Sequence, residues 1–194
     1  TLLVTEACDQ IIAAARAHGY TERSVHHVDT GFSWHSLGQD AASLSLFAER
    51  KILDVRVPSK KLDKDASALL RDWVAVNGAA ADTVLLLRTD RLQPKQRSSA
   101  WFKALDKEGV VPLIWPLASH EFPRWLQARL QDRGLQLQAD ALDYLAARVE
   151  GNLLAAVQEI EKLALQDLSA PISVQAMAAC LEDTSRFNSF DLVD

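Results

Sequence analysis

Histidine is the residue of this 194-residue chain with the widest chemical use, because imidazole binds metals and exchanges protons near neutral pH. His26 and His27 are adjacent in the β-rich run SVHHVD, so we expect their side chains on opposite faces of a strand, where they cannot share a metal. His35 and His120 have no partner at metal-ligand spacing. The sequence therefore predicts no metal site and no histidine-based catalysis.

Nucleotide chemistry would need a glycine-rich loop whose backbone N–H groups hold phosphates. The chain contains neither G-x-x-x-x-G-K-[ST] nor G-x-G-x-x-G, and its seven glycines are scattered singly. Asp54 lies inside a predicted strand rather than after it, where a magnesium ligand would be expected. Asp90 does follow a strand-like run, but without a phosphate-binding loop it is interpreted as a loop or cap residue. The pattern favours a binding or mechanical role, with no cofactor, over catalysis.

The composition is that of an ordinary globular protein, with a net charge of −5 that argues against autonomous binding to nucleic acid. No apolar run reaches the roughly 18 residues of a membrane span, and the first residues do not resemble a signal peptide. Cys8 and Cys180 lie in alanine-rich, helix-like contexts without a CxxC motif, which is typical of reduced thiols. We therefore expect a cytoplasmic protein with no membrane partner.

The first part of the chain alternates helix-like and strand-like segments, which predicts an α/β fold with a parallel sheet and helices on both faces. A helix at residues 3–18 opens the chain, and because the chain begins with that helix and without Met we expect a fragment that lacks a preceding strand. The predicted strands are Ser24–Asp29, Ile52–Val57, Thr83–Leu87 and Val110–Trp115, and the predicted helices between them are Leu37–Ala48, Ala66–Val76 and Ser98–Glu108.

After Pro116 the strand-like runs stop and helical periodicity takes over. Clear breaks at Gly134, Gly151 and Pro171 separate the helices, and Asn152 and Ser173 are placed to cap the third and fourth of them. This pattern predicts a small all-helical domain with helices at Glu121–Gly134, Ala139–Val149, Asn152–Leu165 and Val174–Leu181. The predicted domains are an α/β domain at 1–118, a helical domain at 119–183 and the start of a truncated third domain at 184–194.

The stretch ASLSLFAERKI, residues 42–52, contains an apolar pair whose position on the predicted helix is unusual. Leu37 and Leu44 fall within about 60° of each other on a helical wheel, which predicts an inward-facing stripe. Leu46 lies about 180° from Leu37, and Phe47 lies about 80° off the stripe. The pair is either covered by a neighbouring loop or displayed for a partner.

Ser43-Leu44-Ser45-Leu46-Phe47 resembles the sliding-clamp-binding pentapeptide Gln-Leu-Ser/Asp-Leu-Phe, with Ser43 in place of Gln as the departure. Together with other segments in the same order, it is similar to the delta-subunit family of the bacterial DNA polymerase III clamp loader. The segments that carry this resemblance are Trp101–Leu105, Phe122–Trp125, Glu150–Ala155 with the following QEIEKLAL, and Arg186–Asp194.

The resemblance implies an AAA+-like fold that has lost its nucleotide site, followed by a helical lid domain and the beginning of a collar domain. It implies a non-catalytic subunit of the polymerase holoenzyme that binds the sliding clamp (beta subunit) and opens the ring for loading onto primed DNA. Leu46 and Phe47 would be the anchors, with Leu44, Ser43 and Ser45 beside them. Further expected partners are the delta prime and gamma/tau loader subunits, and DNA only within the assembled loader.

Two other functions stay open from the sequence. One is an active AAA+ ATPase whose P-loop belongs to residues before Thr1. The other is a different clamp-binding adaptor that is built on the same fold.

Overall fold

The computed structural model describes residues 1–42, 50–58, 62–77, 82–166 and 168–187, with the backbone alone for residues 41–42, 77 and 182–187. The chain divides into two compact units between Ile114 and Trp115. The predicted domain boundary at 118/119 and the predicted third domain at 184–194 remain predictions.

The first unit alternates helices and strands around a parallel sheet in the order β1-β2-β3. β2 is the central strand, and Asp54 on it lies opposite Val25 of β1 and Leu86 of β3. The elements of this unit are α1 (Leu2–Ala17), β1 (Glu22–His27), α2 (Trp34–Ala42), β2 (Lys51–Val57), α3 (Lys64–Asn77), β3 (Thr83–Thr89), α4 (Pro94–Arg97) and α5 (Ala100–Glu108).

Helices cover both faces of this sheet because successive side chains of a strand point to opposite sides. On one face, Ile52 of β2 and Leu86 of β3 pack with Cys8 of α1. On the other face, Leu53 of β2 packs in a cluster that includes Leu37 of α2. The parallel sheet between two helical layers confirms the predicted α/β fold class.

One strand prediction is confirmed and one is wrong. Thr83–Leu87 is a strand as predicted, and both of its faces are packed: Leu86 is buried on the α1 face, and Leu85 and Leu87 are partly buried on the opposite face. The predicted strand Val110–Trp115 is wrong, because the segment has no regular structure and Val110 is 89% exposed. A strand needs a neighbour for its backbone hydrogen bonds, and no strand of the described residues pairs with this segment.

The second unit is a set of helices around its own apolar core, as predicted. Leu126, Leu145 and Leu163 are fully buried in that core. The side chain of Asn152 accepts hydrogen bonds from the backbone N–H groups of Leu154 and Ala155, both at 3.1 Å, which confirms it as the predicted cap. The helices are α6 (Phe122–Asp132), α7 (Ala139–Val149), α8 (Leu153–Ala164) and α9 (Val174–Phe187). Within the described residues, no helix is both long and apolar enough to cross a membrane.

Candidate functional site

The predicted clamp-binding residues lie outside the described part of the chain. They are Ser43, Leu44, Ser45, Leu46 and Phe47. Residues 43–49, called the docking segment below, connect the end of α2 at Ala42 to Arg50, the residue before β2. The described residues on either side of this segment are the end of α2 and the start of β2.

Apolar packing fixes α2, the helix that leads into the docking segment. Leu37 is only 2% exposed, which confirms its predicted inward orientation. Trp34 is buried and meets the ring of Phe32 edge-on at 5.1 Å. A Cβ atom at Gly38 would lie 3.1 Å from the Leu69 Cδ1 atom of α3, so the two helices approach closely at this glycine. These contacts hold the described part of α2 in the first unit.

A polar cluster joins the two flanks of the docking segment; it consists of Asp40, Lys51 and His26 and is called the Asp40 cluster below. The Lys51 side chain is only 7% exposed, and its ammonium donates a hydrogen bond to the backbone carbonyl of Asp40. The same ammonium lies 4.0 Å from the Asp40 carboxylate. That carboxylate also lies 2.9 Å from the Nε2 atom of His26 on β1. One residue of α2 is thus connected to both β1 and β2.

Arg50, the first described residue after the docking segment, is bound to a different part of the unit. Its Nη1 atom donates a 2.9 Å hydrogen bond to the carbonyl of His18, just after the end of α1. Its guanidinium also lies 5.5 Å from the centre of the Tyr20 ring. Arg50 and Lys51, the first two described residues after the docking segment, therefore each contact a different element of the first unit.

A second charged cluster lies on the α1 face of the sheet; it consists of Asp54, Arg23, Arg56 and Arg88 and is called the Asp54 cluster below. Asp54 is fully buried. Arg88 of β3 binds its carboxylate through two hydrogen bonds of 2.8 and 2.9 Å, and Arg23 of β1 donates a third of 2.5 Å. Arg56 is more exposed and lies 3.5 Å away. The cluster links all three strands on one face.

Two opposing effects act on the pKa of the Asp54 carboxyl. Burial favours the neutral acid and raises the pKa, whereas the hydrogen bonds and positive charges of Arg23 and Arg88 favour the carboxylate. The arginines outweigh burial, so the pKa lies below the ordinary value of 3.8. Asp54 is therefore an ionised structural residue whose two oxygens both accept hydrogen bonds from arginine.

The other sequence candidates are dispersed over the chain. His27, His35 and His120 are exposed on separate elements or loops, and Asp90 is exposed just after β3. Among the described residues, no group of three His, Cys, Asp or Glu side chains could hold a metal ion. Cys8 is a free, buried cysteine, and burial raises the pKa of its thiol. The structure does not assemble these residues into a shared site.

Sequence reasoning missed both charged clusters. A weak signal existed for the Asp54 cluster, since Asp54 and Arg56 interrupt the apolar run ILDVRV and a buried acid needs a partner. Arg23 and Arg88, the two arginines that bind Asp54 most closely, are 31 and 34 residues away in the sequence, and only the strand register brings them together with it. The Asp40 cluster had no comparable signal, because its lysine reads as part of an exposed Glu-Arg-Lys run.

Comparisons with known proteins agree with this architecture. Residues 1–112 match the family described as DNA polymerase III, delta subunit. The chain is 28% identical over 194 residues to DNA polymerase III subunit delta of Escherichia coli (strain K12), covering all of this chain and 56% of that protein. It is 25% identical over 198 residues to the Haemophilus influenzae protein of the same name, with the same coverage. The solved structure of the Bacillus subtilis DNA clamp loader delta protein is similar with a TM-score of 0.59 and 18% identity, over 91% of this chain and 55% of that one.

The parallel sheet between two helical layers is the predicted α/β class, and the fold is similar to that of the Bacillus subtilis protein. The family match covers more than half of the chain, so the chain belongs to the DNA polymerase III delta subunit family. The chain spans little more than half the length of the relatives it matches.

Proposed function

We propose that this chain is the clamp-binding part of a clamp-loader delta subunit in DNA replication. It binds the sliding clamp through Leu46 and Phe47 of the docking segment, with Leu44, Ser43 and Ser45 completing the motif. Binding then favours the open form of the clamp ring so that DNA can enter. The other loader subunits, delta prime and gamma/tau, are its partners in assembly, and DNA contacts belong to the assembled loader.

The observation that carries this proposal is a clamp-binding motif in a chain of the delta family. Ser43–Phe47 agrees with the pentapeptide at four of five positions, and the family match of residues 1–112 includes it. The motif directly follows the described end of α2, whose buried face holds that helix against the sheet. A helix anchored in this way can present the residues that follow it to another protein.

The energy that two such anchors supply is adequate for the role. Full burial of one Leu and one Phe side chain contributes roughly 3–6 kcal/mol before the cost of ordering. Anchors of that size dominate many protein interfaces. The clamp ring opens only to the extent that the chain binds the open form more tightly than the closed form.

A direct test is the affinity of this chain for its sliding clamp after the double change Leu46→Ala and Phe47→Ala. We expect loss of measurable binding with an unchanged midpoint of thermal unfolding, because the pair is proposed to face solvent. The matched control is Val110→Ala with Leu113→Ala, which removes two apolar side chains that are 89% and 53% exposed on the same unit. The control variant should bind like the unmodified chain.

Unfolding of the Leu46→Ala, Phe47→Ala variant would place the pair in the core and contradict the proposal. Leu44→Ala should behave differently, since Leu44 lies on the predicted inward stripe and its loss should lower stability.

The Asp54 cluster supports a role without nucleotide hydrolysis in this part of the chain. Both carboxylate oxygens of Asp54 accept hydrogen bonds from Arg88, and one of them also accepts from Arg23. A magnesium ligand needs a carboxylate that faces the ion rather than two guanidinium groups. Nucleotide titration of the full-length protein tests the alternative of an active ATPase, for which saturable binding to this subunit would be required.

A further inference from the structure

We propose that the Asp54 cluster binds a phosphate group through Arg23 and Arg56, on the α1 face of the sheet. The inference goes beyond the proposed function, since it involves neither the docking segment nor the clamp. It follows from the charge of the cluster, from the burial of its donors and from their access to solvent.

The cluster holds more positive charge than its carboxylate balances. Its three arginines all reach Asp54, which within the described part of the chain is the one carboxylate at ion-pair distance from any of them. Arg88 binds both carboxylate oxygens, whereas Arg23 and Arg56 approach the same oxygen, Oδ2, at 2.5 and 3.5 Å. Three arginines around one aspartate leave two positive charges uncompensated, which is costly for groups that are partly buried.

Part of each of these two guanidinium groups is already removed from water. The Nε atoms of Arg23 and Arg56 are buried and have no hydrogen-bond partner among the described residues. A charged group that has lost part of its hydration gives up less water when a ligand binds than a fully exposed group does. An anion at the accessible edge of these guanidinium groups is therefore bound more tightly than at an ordinary surface arginine.

The accessible edge of the cluster lies on the β1 side. The side chains of Arg23 and Arg56 are 24% and 38% exposed, whereas that of Arg88 is 11% exposed. Val25, which lies opposite Asp54 on β1, is 42% exposed, so this part of the sheet face is open to solvent. A small anion can thus reach the two arginines without displacing Arg88 from the carboxylate.

A phosphate group fits this arrangement better than a carboxylate does. Each guanidinium presents paired N–H donors that match the oxygens of an oxyanion. A phosphate dianion has enough oxygens to accept from both arginines at once, and its charge balances the two excess positive charges. A carboxylate has two oxygens and a single charge, which one arginine is sufficient to satisfy.

The test is an NMR titration of the backbone amide signals of the chain with inorganic phosphate, at an ionic strength held constant with chloride. We expect saturable shifts centred on β1 and β2, and Arg56→Met should weaken the affinity about tenfold or more through the loss of a charge-assisted pair. Arg56→Lys keeps the charge without the paired donors and should recover part of the affinity. The matched control is Arg71→Met, which removes an exposed guanidinium from α3 of the same unit and should leave phosphate binding unchanged.

A short single-stranded oligonucleotide, titrated in the same way, distinguishes the source of the phosphate group. Tighter, Arg56-dependent binding of the oligonucleotide identifies the phosphodiester of a nucleic acid, and binding of inorganic phosphate alone identifies a free phosphate. The absence of saturable binding by both ligands overturns the inference, and so does equal phosphate affinity in a folded Arg56→Met protein. An equal loss in Arg71→Met also overturns it, because that result would mean a diffuse attraction to positive charge.

Discussion

Replacing Asp54 with asparagine is the sharpest test of what holds the three strands together. The substitution keeps the shape of the side chain and removes its charge. It leaves Arg88, whose side chain is only 11% exposed, without an anionic partner in the interior. Breaking a buried ion pair by removing one partner typically costs about 3–5 kcal/mol. That is a large share of the roughly 5–15 kcal/mol that stabilises an ordinary domain.

The three arginines should contribute unequally, in the order of their burial and geometry. Arg88 makes two hydrogen bonds and is nearly buried, so Arg88→Met should approach the cost of Asp54→Asn. Arg23 makes one short bond and is 24% exposed, which predicts an intermediate cost. Arg56 is 38% exposed at 3.5 Å, so solvent screening should hold its contribution below about 1 kcal/mol.

Urea denaturation provides the assay, with separate transitions allowed for the two units because a two-unit chain need not unfold in one step. The transition of the first unit should move to lower urea in Asp54→Asn, and that of the helical unit should not. The control Asp82→Asn makes the same chemical change at a carboxylate that is 79% exposed. The free energy of unfolding of this variant should stay within about 0.5 kcal/mol of that of the unmodified chain. An Asp54→Asn protein as stable as that control would refute the reasoning, since it would mean that water replaces the carboxylate at no cost.

Acidity offers an independent check on the same cluster. The pKa of Asp54 is lowered in the folded protein, so its contribution to stability is fully present above the unfolded value, near the ordinary 3.8. This contribution is lost as the pH falls from that value to the lower pKa of the folded protein. Over this range the unfolded chain binds the proton more readily than the folded protein does, so acid favours unfolding. The difference in unfolding free energy between the unmodified chain and Asp54→Asn should therefore shrink below about pH 4 and stay constant from pH 5 to 7.

Two further substitutions test the packing of each unit. Leu37→Ala should lower the free energy of unfolding of the first unit by about 2–5 kcal/mol, because its side chain is 2% exposed on the buried face of α2. A loss below about 1 kcal/mol would contradict that burial. Asn152→Ala should cost the helical unit about 1 kcal/mol through the lost cap of α8, while Asn152→Ser, which keeps a capping oxygen, should recover most of it in the same urea titration.

The helices were predicted well because helical periodicity and helix-ending residues lie within or next to each segment. Ala139–Val149 has the same bounds in the sequence prediction and in the structure, since helical periodicity there is followed closely by a break at Gly151. α4 was missed because its four residues are too short to show a period. Its start depends on Pro94 at the first turn and on a 2.8 Å hydrogen bond from the Gln93 backbone N–H to the Gln96 side chain.

The candidate site was predictable only in part, because some of its residues are adjacent in the sequence and others are far apart. The Leu46-Phe47 motif is contiguous, so the sequence alone could suggest it. The described residues that connect its two flanks are not contiguous: Asp40 and Lys51 are on opposite sides of the motif, and His26 belongs to another strand. A lysine in a charged run looks solvated until the fold places its ammonium on the Asp40 carbonyl.

The strand that failed to form at 110–115 shows the same dependence on distant residues. VVPLIW has the apolar, β-branched composition of a strand, yet a strand is stable only when its backbone groups bond to a neighbour. On the described sheet, β3 likewise has a partner on one side only, although its run TVLLL is more apolar than is usual for an exposed edge. Composition within the segment 110–115 could not decide its assignment, because a strand also needs a pairing partner that composition does not specify.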